Sequence, residues 1–308
     1  MAPMTEKRVI IAGARGLLGQ KIVEVFKRES EYEIMPCVLE DGVEGYFSLD
    51  ITNHHKVMDA VSSFKPSVIV NAAAYTDVDN AEVEKELAYK VNATAVGYLA
   101  EAANVFNAKL VHISTDYVFD GQKGNYSEES KPEPINYYGK SKLAGENLVR
   151  AKVQDYAILR TQVLYGFASD VKKNFALWVI DKLSKGENIR VVDDQIGNPT
   201  LADELAFAIL KVCQRKSVGL YHVSGFETIS RYEFANRIAE EFGLDYSLIK
   251  AIKSDELSQR ARRPKDSSFI CLKAQAELGI NMPSLKDSLS LMKQQMKRAG
   301  AVELQNKN

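Results

Sequence analysis

At 308 residues, 45% of them hydrophobic and 26% charged, the chain has ample material for a buried core. A formal net charge of −1 removes any electrostatic case for nucleic acid or an anionic membrane as partner. Cys37, Cys213 and Cys271 are widely spaced and, with four scattered histidines, offer neither a disulfide framework nor metal-ligand spacing, which suits a reducing cytosol. No apolar run approaches the ~20 residues needed to span a bilayer, and Arg15 and three glycines interrupt the only early apolar stretch, so no signal peptide is expected. The expectation is a soluble, cytoplasmic protein.

In chain order, Lys7 to Ala12 is a short β-branched run that predicts a buried strand. It enters Gly13-Ala14-Arg15-Gly16-Leu17-Leu18-Gly19, after which Leu18, Ile22, Val25 and Phe26 recur at helical spacing. Strand, glycine turn and helix form the setting of a dinucleotide site, because glycine lets the backbone approach a pyrophosphate and the helix N-terminus stabilises its charge. A second strand from Glu33 to Leu39 ends at Glu40, whose carboxylate can accept from a ribose 2′-hydroxyl and favour NAD. Arg15 can instead pair with a 2′-phosphate, so NADPH and NADH both stay open.

Asp50-Ile51 ends a short extended stretch, and a helix follows from His54 to Phe64. Ser67 to Asn71 predicts a third strand. A long helix comes next with Leu87, Val91, Ala95 and Leu99 on one stripe, then a strand from Lys109 to Ser114 and another from Tyr156 to Arg160. Strands alternating with helices predict an α/β fold, a Rossmann-type doubly wound parallel sheet covered on both faces. Ligands in such sheets bind beyond the carboxyl ends of the strands, where Gly13, Asn71, Ser114 and Thr115 all fall.

Further on, a helix is expected from Phe175 to Leu183, a strand over Ile189–Val192, an amphipathic helix from Leu201 to Cys213 and a strand from Gly219 to Val223. Ser230 and Glu233 form a capping-box pattern before a helix with Phe234, Ile238 and Phe242 on its apolar side. The division expected is a dinucleotide-binding domain over 1–165 and a smaller C-terminal substrate-binding lobe over 166–308, with segments of about 188–225 returning to the sheet. The charged tail from Lys293 is expected to fray. The basic run Arg260-Ala261-Arg262-Arg263-Pro264-Lys265 reads either as a solvated loop or as a substrate-phosphate contact.

Tyr138 and Lys142 share a helix face. A phenol titrates near pH ~10 when unperturbed, and a fixed cation beside it would lower that value and make the tyrosine usable as an acid or base.

The ordered set of glycine loop, Asn71-Ala72-Ala73-Ala74, Ser114-Thr115 and Tyr138…Lys142 resembles the extended short-chain dehydrogenase/reductases. Within them the chain looks like the dTDP-4-dehydrorhamnose reductase family. The narrower match rests on Val70 to Asp79, Ser114 to Gly121, Tyr138 to Glu146 and Asp194-Gln195-Ile196-Gly197-Asn198-Pro199-Thr200. The resemblance implies Tyr138, Lys142 and Thr115 as catalytic residues, with Tyr138 giving a proton to a C4 ketone while nicotinamide delivers hydride. It further implies Gly13, Arg15, Gly16, Leu17, Leu18, Gly19, Glu40, Asp50, Ile51, Asn71, Ala72, Ala73, Ala74, Asn92 and Ser114 as cofactor contacts. Thr76, Val78, Thr115, Asp116, Tyr117 and Arg263 would face a nucleotide sugar.

Related sugar-nucleotide dehydratases carry Thr-Asp-Glu, whose carboxyl groups move the protons of water loss; Tyr117 in the third position here points to simple reduction. An epimerase, which needs only Tyr, Lys, a hydroxyl and bound NAD, stays open. Val163 stands where some reductases place a substrate-contacting tryptophan, and Phe269-Ile270-Cys271-Leu272 departs from the family's polar continuation. Some members bridge a dimer through magnesium with a glutamate after the glycine loop; Lys21 occupies that position, so no metal is expected and a homodimer stays open. The regulatory β subunit of methionine adenosyltransferase shares these motifs, which leaves a non-catalytic alternative.

Overall fold

A computed structural model describes residues 7–29 and 31–301. The first strand, β1 (Lys7–Ala12), leads through the glycine turn into α1 (Leu17–Lys27). Then come β2 (Tyr32–Val38), the short β3 (Phe47–Ser48), α2 (His54–Phe64), β4 (Val68–Asn71), α3 (Lys85–Tyr89) and α4 (Ala95–Val105). The strand β5 (Lys109–Thr115), the helix α5 (Tyr137–Lys152) and the strand β6 (Tyr156–Thr161) complete the first half.

The second half opens with β7 (Leu164–Tyr165), α6 (Phe175–Ser184), β8 (Ile189–Val192), β9 (Ile196–Gly197) and β10 (Thr200–Leu201). It continues with α7 (Ala202–Arg215), β11 (Gly219–His222), β12 (Ile229–Ser230), α8 (Arg231–Phe242), β13 (Ile249–Ile252), α9 (Leu272–Leu278) and α10 (Leu285–Arg298). Among the described residues no helix is long and apolar enough to cross a membrane.

The main sheet runs β11-β6-β5-β4-β1-β2-β3, and every pairing in it is parallel. β1 shows why both faces are covered. Val9 and Ile11 enter one apolar layer with residues of α1 and α7, while Ile10 and Ala12 enter the opposite layer with α2 and α4. Strand order reverses between β1 and β4, and the crevice at such a switch point is where ligands of open α/β sheets bind.

The second apolar centre gathers Val179, Ile189, Phe234, Ile238 and Leu289 from α6, β8, α8 and α10. The Ser230 hydroxyl accepts from the Glu233 N–H at 3.1 Å and the Glu233 carboxylate accepts from the Ser230 N–H at 2.8 Å, as the capping-box pattern predicted.

Three expectations are corrected. Of the 188–225 segment, β11 joins the main sheet beside β6, but β8 pairs with β13 outside it, because Ile189 and Val191 bury against the second core. The tail does not fray from Lys293: α10 continues to Arg298 with Met292 and Met296 buried, and only residues 302–308 of that tail lie outside the described part.

Nor is the Leu87-to-Leu99 stripe one regular helix. A π-helical turn over Lys90–Thr94 separates α3 from α4, and Leu87 is 46% exposed. The wide turn directs Asn92 inward. Its carbonyl lies against Gly145 of α5, and its side chain bonds the Tyr75 backbone (2.9 and 3.0 Å) and the Ser141 hydroxyl (3.0 Å).

A Cβ on Gly145 would overlap that carbonyl outright. Gly145→Ala is therefore expected to cost about 1–3 kcal/mol through forced backbone displacement. The cost should register as a lower urea midpoint with an unchanged slope.

Candidate active site

The glycine loop is shaped by three different contacts. Gly13 has φ 79°, and a Cβ there would lie 2.7 Å from the Ala73 nitrogen, so β1 and β4 meet backbone to backbone at the switch point. A Cβ on Gly19 would strike the Gly13 carbonyl. At Gly16 the nearest neighbour would be that same carbonyl, at 3.4 Å, so this glycine leaves open space in front of α1. Helix α1 has no side-chain N-cap and no acidic residue in its first turn. Its free N–H groups and partial positive charge therefore fit a phosphate.

A cleft of about 980 Å³ runs from this loop along the carboxyl ends of the strands to α5. Its walls include Gly13, Arg15, Gly16, Leu17, Leu18, Gly19, Glu40, Asp50, Ile51, Ala72, Ala73, Ala74 and Ser114, together with Thr76, Val78, Thr115, Asp116, Tyr117, Tyr138 and Lys142. A space this size, apolar with a few convergent polar groups, suits a dinucleotide beside a second small molecule. Gln20 ties the two halves across the loop, donating to the Arg15 carbonyl at 2.9 Å and the Ser169 carbonyl at 2.8 Å.

Tyr138 and Lys142 occupy the first turns of α5, whose N-cap Asn136 accepts from the Gly139 N–H at 2.8 Å. A Cβ at Gly139 would overlap the Tyr117 carbonyl, so glycine there lets α5 rest directly on the turn after β5. That seating places the Tyr138 phenol beside the Thr115 hydroxyl and edge-on to Tyr117, 5.8 Å between ring centres.

The expected cation effect on the phenol is not what acts here. Burial raises the Tyr138 phenol above its ordinary value, Asp116 adds to the rise, and Thr115 opposes it. Lys142 instead donates to the Ile113 carbonyl at 2.6 Å and is drawn down to about 8 by burial, with Glu146 opposing. Asp116 is pushed up to about 6 by burial, against hydrogen bonds from Ser267 and Thr115 and the charge of Arg231.

Beneath these groups lies a buried ionic cluster. Burial raises the Glu146 carboxyl, but Arg160 and Ser114 outweigh it and hold the group below the usual carboxylate range. Arg160 reaches both of its oxygens, at 2.8 and 2.7 Å, Ser114 donates at 2.6 Å and Arg150 at 2.9 Å.

Three anticipated contacts lie off the cleft wall. Asn71 is fully buried and hydrogen-bonds His112 and the Ala73 N–H, each at 3.1 Å. Asn92 braces Tyr75 and Ser141. Arg263 binds the two carboxylate oxygens of Asp79 at 2.6 and 2.7 Å and the Ala261 carbonyl at 2.6 Å.

Residues not singled out also line the cleft, chief among them Arg231 and Phe175. The Arg231 guanidinium lies 5.4 Å from the Phe175 ring centre, and its only sequence signal is a basic residue following the Ser230 cap. Val163 is on the wall too, with φ 46°, a strained backbone for a β-branched residue. Lys21 is buried and ion-pairs with Asp203 at 3.4 Å and Glu24 at 3.5 Å.

This fold, with a glycine loop and a Tyr–Lys–Thr group on one cleft, defines an extended short-chain dehydrogenase/reductase. The chain belongs to the family described as the RmlD substrate binding domain, whose model matches residues 7–298. It is 36% identical over 285 residues to dTDP-4-dehydrorhamnose reductase of Aggregatibacter actinomycetemcomitans, covering 89% of this chain and 94% of that one. The dTDP-4-dehydrorhamnose reductase of Bacillus anthracis str. Ames, solved in complex with NADP, superposes with TM-score 0.87 at 38% identity, covering 94% of this chain and 99% of that one. The methionine adenosyltransferase 2 subunit beta of Xenopus laevis is 33% identical over 280 residues, covering 89% of this chain and 83% of that one.

Breaking the buried ion pair from one side leaves a charge uncompensated, so Glu146→Gln should lose about 3–5 kcal/mol. Adding Arg160→Met should restore part of the loss, and the four midpoints of that double-mutant cycle measure the coupling.

Proposed function

We propose that the chain reduces the C4 ketone of a dTDP-4-keto-6-deoxy sugar with NADPH or NADH, converting dTDP-4-dehydro-L-rhamnose to dTDP-L-rhamnose. The observation that carries this reading is that Tyr138, Thr115 and Lys142 gather at one end of a cleft whose other end is an open helix N-terminus. The reductase relatives support the substrate class.

A bound NADPH or NADH supplies the hydride to the ketone carbon. The residues do the rest. Gly13 to Gly19 hold the pyrophosphate with backbone N–H groups, and Ala72 to Ala74, Asp50, Ile51 and Ser114 form the channel walls. Tyr138 gives its proton to the oxygen that becomes the hydroxyl. Its raised phenol keeps that proton at neutral pH, the state a donor in the reductive direction needs. Thr115 hydrogen-bonds the same oxygen, and Lys142 holds the nicotinamide ribose. Tyr117, Asp116, Thr76 and Val78 face the sugar. Tyr117 stands where a dehydratase would need a second carboxyl group, so water is not lost.

Enzymatically generated dTDP-4-dehydro-L-rhamnose should drive oxidation of NADPH or NADH by the purified protein and yield dTDP-L-rhamnose. Dinucleotide binding without oxidation would reject the proposal. It would favour the second reading, a non-catalytic subunit, which the similarity to methionine adenosyltransferase 2 subunit beta supports. Tyr138→Phe should lower turnover by about 10²–10⁴-fold while dinucleotide binding stays unchanged.

Arg15 and Glu40 follow the adjacent strands β1 and β2, and both are exposed on the cleft. Arg15→Ala should raise KM for NADPH by about tenfold or more, the loss of a charge-assisted phosphate contact, and leave KM for NADH unmoved.

A further inference from the structure

The Thr115 hydroxyl has one hydrogen and two lone pairs. It accepts from the Tyr117 N–H at 3.2 Å and gives its hydrogen to Asp116 Oδ1 at 3.0 Å. The Tyr138 phenol lies beside it on the same cleft wall. In this arrangement the Thr115 hydroxyl points no hydrogen at a substrate, because that hydrogen is committed to Asp116.

Asp116 is 5% exposed, and its other oxygen accepts from the Ser267 hydroxyl at 2.6 Å. The charged and titratable groups facing it are few. Arg231 approaches from the start of α8, Tyr138 from α5 and Tyr117 from its own turn, while Arg263 acts on Tyr117 and is bound to Asp79. Arg231 influences Asp116 by charge alone, without a hydrogen bond to it among the described residues. Burial is the largest influence and brings the carboxyl up to about 6, within reach of neutral pH.

We infer that Asp116 is a positioning residue whose proton, when present, turns the hydrogen of Thr115 toward the substrate ketone. This rests on the reductase reading above. Ser267 donates to Oδ2, so the proton sits on Oδ1 and is given to Thr115 Oγ. Both Thr115 lone pairs are then filled, by Asp116 and by the Tyr117 N–H. The Thr115 hydrogen is released to the ketone oxygen, the same oxygen that takes the Tyr138 proton. No net proton leaves Asp116 in the cycle: Tyr138 loses one to the product and regains one from solvent. When Asp116 is ionised it reclaims the Thr115 hydrogen and the ketone loses that donor.

The test is kcat across pH for reduction of dTDP-4-dehydro-L-rhamnose by the wild type, Asp116→Asn, Ser267→Ala and Thr115→Val. Wild-type kcat should be highest at acidic pH and fall as pH rises through the Asp116 titration. An asparagine amide donates to Thr115 as the protonated acid does, with its oxygen toward Ser267. Asp116→Asn should therefore lack that fall and turn over about tenfold or more faster than wild type at roughly pH 7.5. Ser267→Ala removes a bond to the ionised form, so the break should move to higher pH. In a Thr115→Val background, Asp116→Asn should have no effect on the profile.

A wild-type profile without the break, or the same break in Asp116→Asn, would overturn the inference and leave the reductase reading standing. An Asp116 effect that persists in Thr115→Val would do the same. Absence of turnover in the wild type at every pH would overturn both. Should Asp116→Asn fail to fold, the direction of the Ser267→Ala shift decides.

Discussion

The geometry of the site depends on how closely one helix can approach the sheet. Helix α5 touches backbone at two points, with Gly139 on the Tyr117 carbonyl and Gly145 on the Asn92 carbonyl, and neither site has room for a methyl group. Tyr138 lies one residue before the first contact, Lys142 between the two, and Glu146 one residue beyond the second. The same approach brings the phenol to Thr115, the ammonium to the Ile113 carbonyl and the carboxylate to Ser114 and Arg160. A helix held a side-chain thickness farther out would break all three at once.

Close seating also sets the electrostatics. Groups that would be hydrated on a looser helix are packed away from water, so desolvation is the largest influence on Tyr138, Lys142 and Asp116 alike. It moves each toward its uncharged form, the phenol and carboxyl upward and the ammonium downward. Glu146 escapes only because Arg160 grips it at both oxygens. The outcome is a row of groups shifted toward their uncharged forms above one firmly ionised pair, in surroundings where the direction of a single hydroxyl carries weight.

Much of this was legible in the residues, for identifiable reasons. β1 and the helices α1 and α2 have strong local patterns, and α2 runs from His54 to Phe64 as its spacing predicts. The glycine spacing specifies a turn whose backbone demands are local. Tyr138 and Lys142 share a helix, so periodicity alone puts them together. What stayed hidden depends on contacts distant in sequence. The π turn at Lys90–Thr94 accommodates α5, about fifty residues onward, and a hydrophobic stripe cannot reveal it. Arg263 is bound by Asp79, 184 positions away, and nothing near it signals that partner. Arg231 reaches the cleft only because α8 packs in the second core. The raised phenol was missed because i to i+4 spacing reveals a neighbouring charge but not the extent of burial.

The position of β11 bears on how the chain can be made. This strand closes the edge of the sheet beside β6, yet the ribosome delivers it only after β7 through α7 have emerged. Leu205, Ile209 and Val212 of α7 complete the layer over Val9 and Ile11, so until they arrive one face of the nascent sheet has lost part of its cover and β6 offers an unpaired edge. Residues made first must wait for residues made late. The chain is therefore expected to reach its native state as one slow, cooperative event late in synthesis, with its greatest exposure to aggregation just before that closure.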